Sequence, residues 1–243
     1  MQKKINDKFV RWKKNRKIAR ENPEIWLFNS RNLGYIQIPK VASSSTRERL
    51  AKFYFETNNI DQPDKFDKEI IRSVEKITAF HANHKKLYDL TKNNFIFSFV
   101  RNPYSRIYSA YKSKVILPLE SHKKNIFSNH GISLGMDFET FVDIVCAIPD
   151  HKIDRHLRSQ SWFLTFEGKL ITNHIGRLES FEEDWENLLK PFGLSNPGHN
   201  KNSTKKIGNP DITEVFSVEI RQKIQERYKS DFLLFNYSEH LKP

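Results

Sequence analysis

Chemistry is written most densely between Tyr35 and Arg47, where the apolar run Tyr35-Ile36-Gln37-Ile38 meets Pro39 and passes into Lys40-Val41-Ala42-Ser43-Ser44-Ser45-Thr46-Arg47. Proline cannot donate to a strand ladder, and Leu50, Phe53 and Tyr54 then recur at helical spacing. The turn therefore opens a helix over about 44–57. A helix N-terminus offers unpaired backbone N–H groups and the positive end of the macrodipole, both suited to a phosphate. Four consecutive hydroxyl residues add donors, and Lys40 adds a mobile point charge. The plain alternative is a strand-to-helix turn whose serines only cap the helix. The glycine-rich loop of nucleoside triphosphate enzymes is absent, because no glycine occurs between Gly34 and Gly131.

A second constellation follows the apolar run Asn94–Val100, which has the composition of a central strand covered on both faces. It ends in Arg101-Asn102-Pro103-Tyr104-Ser105-Arg106-Ile107-Tyr108-Ser109-Ala110-Tyr111, with Asn102 as N-cap and Pro103 at the first helical position. Arg101 can hold a phosphate by a bidentate fork while Ser109 supplies one hydroxyl. A third candidate is His81, placed directly after a short strand expected over Lys76–Phe80, where open α/β sheets gather their working residues. His84 lies three residues further on, at the start of a helical stretch. The choice of general base between His81 and His84 stays open, and an unperturbed imidazole near pH 6.5 suits either for taking a proton.

These elements must be positioned by a chain of 243 residues with 37% hydrophobic and 13% aromatic content, long enough to bury a substantial core. Residues 1–30 read as a basic arm or helix and 31–243 as a single α/β domain. The formal charge of +12 implies anionic partners. Within residues 1–20, nine Lys or Arg stand against one acid, Asp7. That segment is either a solvated helix or an arm that touches an anionic membrane surface or polyanion, and no nucleic-acid signature accompanies it. One cysteine, Cys146, excludes an internal disulfide framework and fits a reducing compartment. With neither a signal peptide nor an apolar run of eighteen residues, the expected location is cytoplasmic, including the inner face of the membrane. No metal spacing is present.

Further along, helices are expected over about 65–75, 137–148 (capped by Asp137), 181–192 (opened by a capping box at Ser180) and 213–229. A last core strand is expected over Asn173–Glu179, and residues 116–136 read as an excursion. Asp154-Arg155-His156-Leu157-Arg158-Ser159-Gln160 and the polar loop His199–Lys206 complete the survey.

The Lys40 loop resembles the 5′-phosphosulfate loop of sulfotransferases that use 3′-phosphoadenosine-5′-phosphosulfate (PAPS), in the carbohydrate branch that includes the uronyl 2-O-, chondroitin and HNK-1 type enzymes. The Arg101–Tyr111 segment is similar to the family's 3′-phosphate motif, R-[ND]-P-[FY]-x-R-x-x-S-A-Y. The two together, in the right order, are hard to obtain by chance. The resemblance implies a three-layer P-loop-like α/β fold, a central mainly parallel sheet flanked by helices, and sulfuryl transfer from PAPS to a carbohydrate hydroxyl without a metal. It implies PAPS contacts from Lys40, Val41, Ala42, Ser43, Ser44, Ser45, Thr46, Arg101 and Ser109, and from Ser203, Thr204 and Lys205 in the late loop. Lys40 and His81 or His84 become catalytic, while His156, Arg158 and Gln160 become contacts to the acceptor, whether a polysaccharide or a lipid-linked glycan. Family members of the uronyl type carry H-x-H where this chain has His81 and His84, and Ser159 stands where proline is common. The competing classes are a nucleotide kinase of related topology and a non-catalytic polyanion-binding protein.

Overall fold

The structure, a computed structural model, describes residues 21–122, 124–192 and 215–239. In chain order the elements are β1 (Glu24–Phe28), β2 (Leu33–Gln37), α1 (Ser43–Thr57), α2 (Lys68–Thr78), β3 (Ala79–His81), α3 (His84–Leu90) and β4 (Phe95–Val100). There follow α4 (Pro103–Tyr111), prolonged by a π-helical stretch (Lys112–Ile116) and a last turn (Leu117–Glu120), then α5 (Phe138–Ala147) and α6 (Gln160–Leu164). The hairpin β5 (Thr165–Phe166) and β6 (Lys169–Leu170), β7 (His174–Arg177), α7 (Phe181–Leu189), α8 (Val218–Arg227) and α9 (Lys229–Leu234) complete the described chain. Two compact units emerge. The first takes the chain up to Ile38, Ala42–Phe99 and Phe163–Gly176, and the second Pro39–Val41, Val100–Trp162 and Arg177 onward.

The first unit is built on a five-stranded sheet of order β3-β1-β2-β4-β7. β1 pairs antiparallel with both β2 and β3, while β2 and β4 pair in parallel. It follows that β2, β3 and β4 run in one direction and β1 opposes them, so the α/β sheet is mainly parallel as expected. Ile25, Trp26, Tyr35, Ile36, Ile96 and Phe97 are fully buried on it. Each such side chain stabilises the fold by about 1.5–3 kcal/mol relative to exposure. Helix α1 closes over the sheet through Phe53, whose ring meets Phe28 edge-on at 5.2 Å. Ser98, fully buried in β4, donates its hydroxyl to the Ile36 carbonyl at 2.7 Å, so its polarity costs little inside the sheet.

Strand β1 lies within residues 1–30, which the sequence reading assigns to a basic arm or helix, and its apolar run Ile25–Phe28 follows directly on Glu24. The strand expected over Lys76–Phe80 also shifts. Helix α2 continues to Thr78, whose hydroxyl bonds back to the Val74 carbonyl, and Ile77 stays 67% exposed instead of facing a core. Pairing with β1 begins at Ala79, which makes His81 the final residue of β3.

The second unit gathers α4, α5, α8 and α9 around an aromatic core in which Tyr104, Phe141, Phe216, Tyr228 and Phe232 are buried. Two helix starts follow the sequence reading: Asn102 Oδ1 accepts from the Tyr104 amide at 3.0 Å, and Asp137 Oδ1 from the Thr140 amide at 2.9 Å. The capping box at Ser180 does not form. Ser180 instead donates to Asp184 Oδ2, which also accepts the Arg177 amide. The final helix breaks at Tyr228 and resumes as α9; the Tyr228 hydroxyl donates to the Leu157 carbonyl at 2.7 Å.

Asp231 ties this unit together. Its carboxylate is fully buried and accepts the amides of Gln160 (2.8 Å) and Ser161 (2.7 Å), thereby capping α6. Replacing it with alanine strands two buried donors, a loss of about 2–4 kcal/mol. Urea unfolding should show that destabilisation for Asp231→Ala and a smaller one for Asp231→Asn, which keeps an acceptor in place; a loss under 1 kcal/mol for alanine would remove the carboxylate from this role.

Candidate active site

Pro39 ends β2, and the chain then turns through Lys40 and Ala42, both in the left-handed region at φ 72° and φ 57°. Non-glycine residues adopt that conformation at some cost, so the turn is imposed by its surroundings. Ala42 is the N-cap of α1 and supplies no side-chain cap. The first bond of the helix, Thr46 N–H to the Ala42 carbonyl, is backbone to backbone. The serines therefore do not merely cap the helix: its first amides stay available, with Ser44 and Ser45 exposed beside them. Val41 is fully buried and anchors the turn. Thr46 is also buried, its hydroxyl turned back to the Ala42 carbonyl at 3.2 Å.

In the second unit, Lys40 Nζ donates to Ser113 Oγ at 2.7 Å, a neutral partner. Burial lowers the Lys40 pKa to about 8, and Lys114, Arg101 and Arg106 push in the same direction. An ammonium held among like charges in a half-buried setting is a site prepared for an anion. Arg101, at the tip of β4, reaches Ser105 Oγ from Nε at 2.9 Å and the Lys40 carbonyl from Nη1 at 3.4 Å. Its pKa is lowered by burial, with Glu179 opposing. Arg106 is only 2% exposed; it donates to the Pro39 and Arg158 carbonyls and leaves Nη2 without a partner among the described residues. Arg106 thus fixes the Lys40 turn from behind. Ser109 is half-buried on α4, and its hydroxyl makes no hydrogen bond among the described residues.

Ser113, Lys114 and Arg106 went unassigned in the sequence, although Ser113 lies one turn beyond Ser109. Its position depends on the π-helical stretch, a wide turn that residue spacing does not announce and that recurs at functional sites. Gln160, expected at the acceptor, is fully buried and instead brackets Arg101: Oε1 accepts the Arg101 amide and Nε2 donates to the Arg101 carbonyl, both at 2.8 Å. Arg158 is likewise buried, with Nε bonded to the Ile153 carbonyl and its guanidinium 4.3 Å from the centre of the Trp162 ring. His156 retains partial exposure. Its Nδ1 lies 2.6 Å from Asp154 Oδ1, and its pKa is lowered mainly by burial, against the pull of that carboxylate. Ser203, Thr204 and Lys205 lie outside the described residues.

His81 belongs to the first unit. Its Nδ1 is 3.3 Å from the Asn22 carbonyl, which can only accept, so Nδ1 is the donor there, and Nε2 lies 3.8 Å from Glu24 Oε2. Glu24 is itself buried in β1 and accepts from Trp26 Nε1. Register puts Glu24 opposite both His81 and Gln37, so the C-terminal ends of β2 and β3 lie on one edge of the sheet. No spacing signal could have revealed Glu24, because it meets His81 only through strand pairing. His84 starts α3 behind the N-cap Asn83, away from that pairing.

The sequence profile of the sulfotransferase family matches residues 23–238. The chain belongs to this family. Among curated proteins it is similar to carbohydrate sulfotransferase 11 of Rattus norvegicus, at 25% identity over 84% of this chain and 64% of that one. Carbohydrate sulfotransferase 12 of Mus musculus is 25% identical over 65% of this chain and 42% of its own. Carbohydrate sulfotransferase 10 of Xenopus laevis is 23% identical over 88% and 67%. The chain thus spans 42% to 67% of the length of these relatives. No solved structure gives a significant match. In this family member the Lys40 turn leads into a helix whose N-cap has no side-chain bond, and Arg101 and Arg106 lie near the Lys40 ammonium.

The Lys40 amine should reveal that crowding directly. In an acylation-rate profile against pH, its reactivity should rise with a midpoint near 8, below the roughly 10.4 of solvated lysines. A midpoint above 10 would contradict the buried, like-charged setting.

Proposed function

We propose that this sulfotransferase moves a sulfuryl group from PAPS to a hydroxyl of a carbohydrate acceptor. The observation that carries the proposal is the Lys40 ammonium, depressed by burial and by Lys114, Arg101 and Arg106, in a turn that opens the uncapped α1. This donor set fits a nucleotide with phosphates at two positions better than a triphosphate, whose cradle needs glycine amides that the turn lacks. The names of the relatives support a carbohydrate as acceptor.

PAPS, when bound, supplies the activated sulfuryl group. The amides at the start of α1 and the hydroxyls of Ser43, Ser44 and Ser45 hold the 5′-phosphate. Arg101 and Ser109 hold the 3′-phosphate, with Arg101 kept at the β4 tip by the two bonds from Gln160. Lys40 would offset negative charge on the leaving phosphate of a bound PAPS, an electrostatic contribution of the kind that grows toward a transition state. As the new S–O bond forms, the acceptor hydroxyl gives its proton to His81 Nε2. Glu24 Oε2, 3.8 Å from Nε2, then faces the resulting imidazolium. Of the two histidines, His81 is preferred as base because strand pairing fixes its backbone and the Asn22 carbonyl fixes its tautomer.

The test is incorporation of labelled sulfate from PAPS into a panel of glycans, with binding of PAPS measured against ATP in parallel. His81→Ala should slow transfer by about 10²–10⁴-fold with nucleotide binding little changed, and His84→Ala should slow it less. A preference for ATP would turn the reading toward a kinase, and full activity in both histidine variants would exclude them as the base.

A further inference from the structure

Residues 112–136 run from the π-helical end of α4 toward α5, and Val115, Phe127 and Ile132 anchor the stretch in the aromatic core of the second unit. Between those anchors three large aliphatic side chains face solvent: Leu117 is 51%, Leu119 53% and Ile126 42% exposed. They sit on one excursion. The Gly135 amide donates to the Val115 carbonyl at 3.1 Å, and a Cβ at Gly135 would come within 2.9 Å of Leu119 Cδ2. On the other limb, Asn125 Nδ2 donates to the Ile132 carbonyl at 2.7 Å, so both limbs lie against residues 132–135. A lone exposed leucine is ordinary, but three such side chains between Leu117 and Ile126 form an apolar patch. Positive charge surrounds it. The stretch carries Lys112, Lys114, Lys123 and Lys124 against one acid, Glu120, and Lys112 and Lys124 are exposed.

We propose that this excursion docks the protein on an anionic lipid surface, with Leu117, Leu119 and Ile126 entering the interfacial layer and Lys112 and Lys124 facing lipid phosphates and carboxylates. Aliphatic side chains flanked by lysine are the chemistry of segments that lie on membranes. Protein interfaces draw instead on Tyr, Trp and Arg and are poor in lysine, and residues 112–136 contain none of those three types. A polyanionic glycan would engage the lysines but leave the aliphatic side chains in water. Lys40 donates to Ser113, four residues before Leu117, so docking would keep the Lys40 turn near the lipid. The inference concerns a surface outside the transfer chemistry and holds whichever donor and acceptor the site uses.

Co-sedimentation of the full chain with vesicles of equal parts phosphatidylcholine and phosphatidylserine tests this, without nucleotide or acceptor. The basic N-terminal residues are the same in every variant, so differences report the patch. Leu117→Ser/Leu119→Ser/Ile126→Ser should partition onto the vesicles roughly 10–100-fold more weakly than wild type, and Lys112→Gln/Lys124→Gln roughly tenfold more weakly. Thermal unfolding should not move in either variant, because all five side chains are exposed. A readout local to the patch comes from an environment-sensitive dye on Leu119→Cys in a Cys146→Ser background. Its emission should shift to the blue on vesicles and be quenched by a lipid nitroxide. Unchanged partitioning of the triple serine variant, or a dye that stays in water while the chain binds, overturns the proposal in favour of attachment through the basic N-terminal residues. Equal partitioning of the wild type onto phosphatidylcholine alone overturns the match of charge. A wild type that stays off both kinds of vesicle also overturns it; if that protein is a dimer in sedimentation velocity and the triple serine variant a monomer, the patch belongs to a second copy of the chain.

Discussion

An ammonium buried among positive charges is unstable unless the fold holds it there, and much of the second unit is arranged to hold Lys40. Arg106, nearly inaccessible, clamps the Pro39 carbonyl and so the turn; Arg101 adds a contact to the Lys40 carbonyl. The strongest charges on the amine, Lys114, Arg101 and Arg106, have the same sign as its own, and the hydrogen bond it makes is to a neutral hydroxyl, Ser113. Such an arrangement opposes protonation and is relieved when an anion enters. The stability forgone at Lys40 is the counterpart of affinity for a ligand bearing several negative charges.

That constraint explains a buried polar chain which would otherwise be a liability. Asp231 caps α6, α6 begins at Gln160, and Gln160 brackets the main chain of Arg101 on both sides. Each member satisfies the next, as buried polar networks must if they are to fix one geometry. In the first unit the equivalent device is the antiparallel β1, which lies between β2 and β3 and brings Glu24 against His81. A strand that opposes its neighbours in a mainly parallel sheet thus positions a carboxylate beside a candidate base.

Local patterns were legible in the sequence wherever the chemistry is local. The Pro39 break, the hydroxyl run, the Asn102-Pro103 helix start and the Asp137 cap all stand where the residues place them, because each depends on neighbours within one turn. What the sequence hid depends on distant pairing. Glu24 gains meaning only through strand register; Gln160 looks like a surface polar residue until Asp231 and Arg101 bury it; Ser113 is brought to Lys40 by a π-helical turn. Ile77 misled in the opposite way, its apolar side chain suggesting a strand although it is exposed at the end of α2.

The central claim, that Lys40 is held partly neutral until an anion arrives, is tested most directly by proton uptake on ligand binding. Calorimetric titration of adenosine 3′,5′-bisphosphate at pH 8, in two buffers of different ionisation heat, measures that uptake. With a free pKa of about 8, Lys40 is about half protonated at this pH. The ligand's phosphates, with second pKa values near 6, are already ionised and contribute little. Binding should therefore take up approaching about half a proton, falling away as pH drops well below 8, and the uptake should vanish in Lys40→Met. Binding without proton uptake, or with the same uptake in Lys40→Met, would contradict the account.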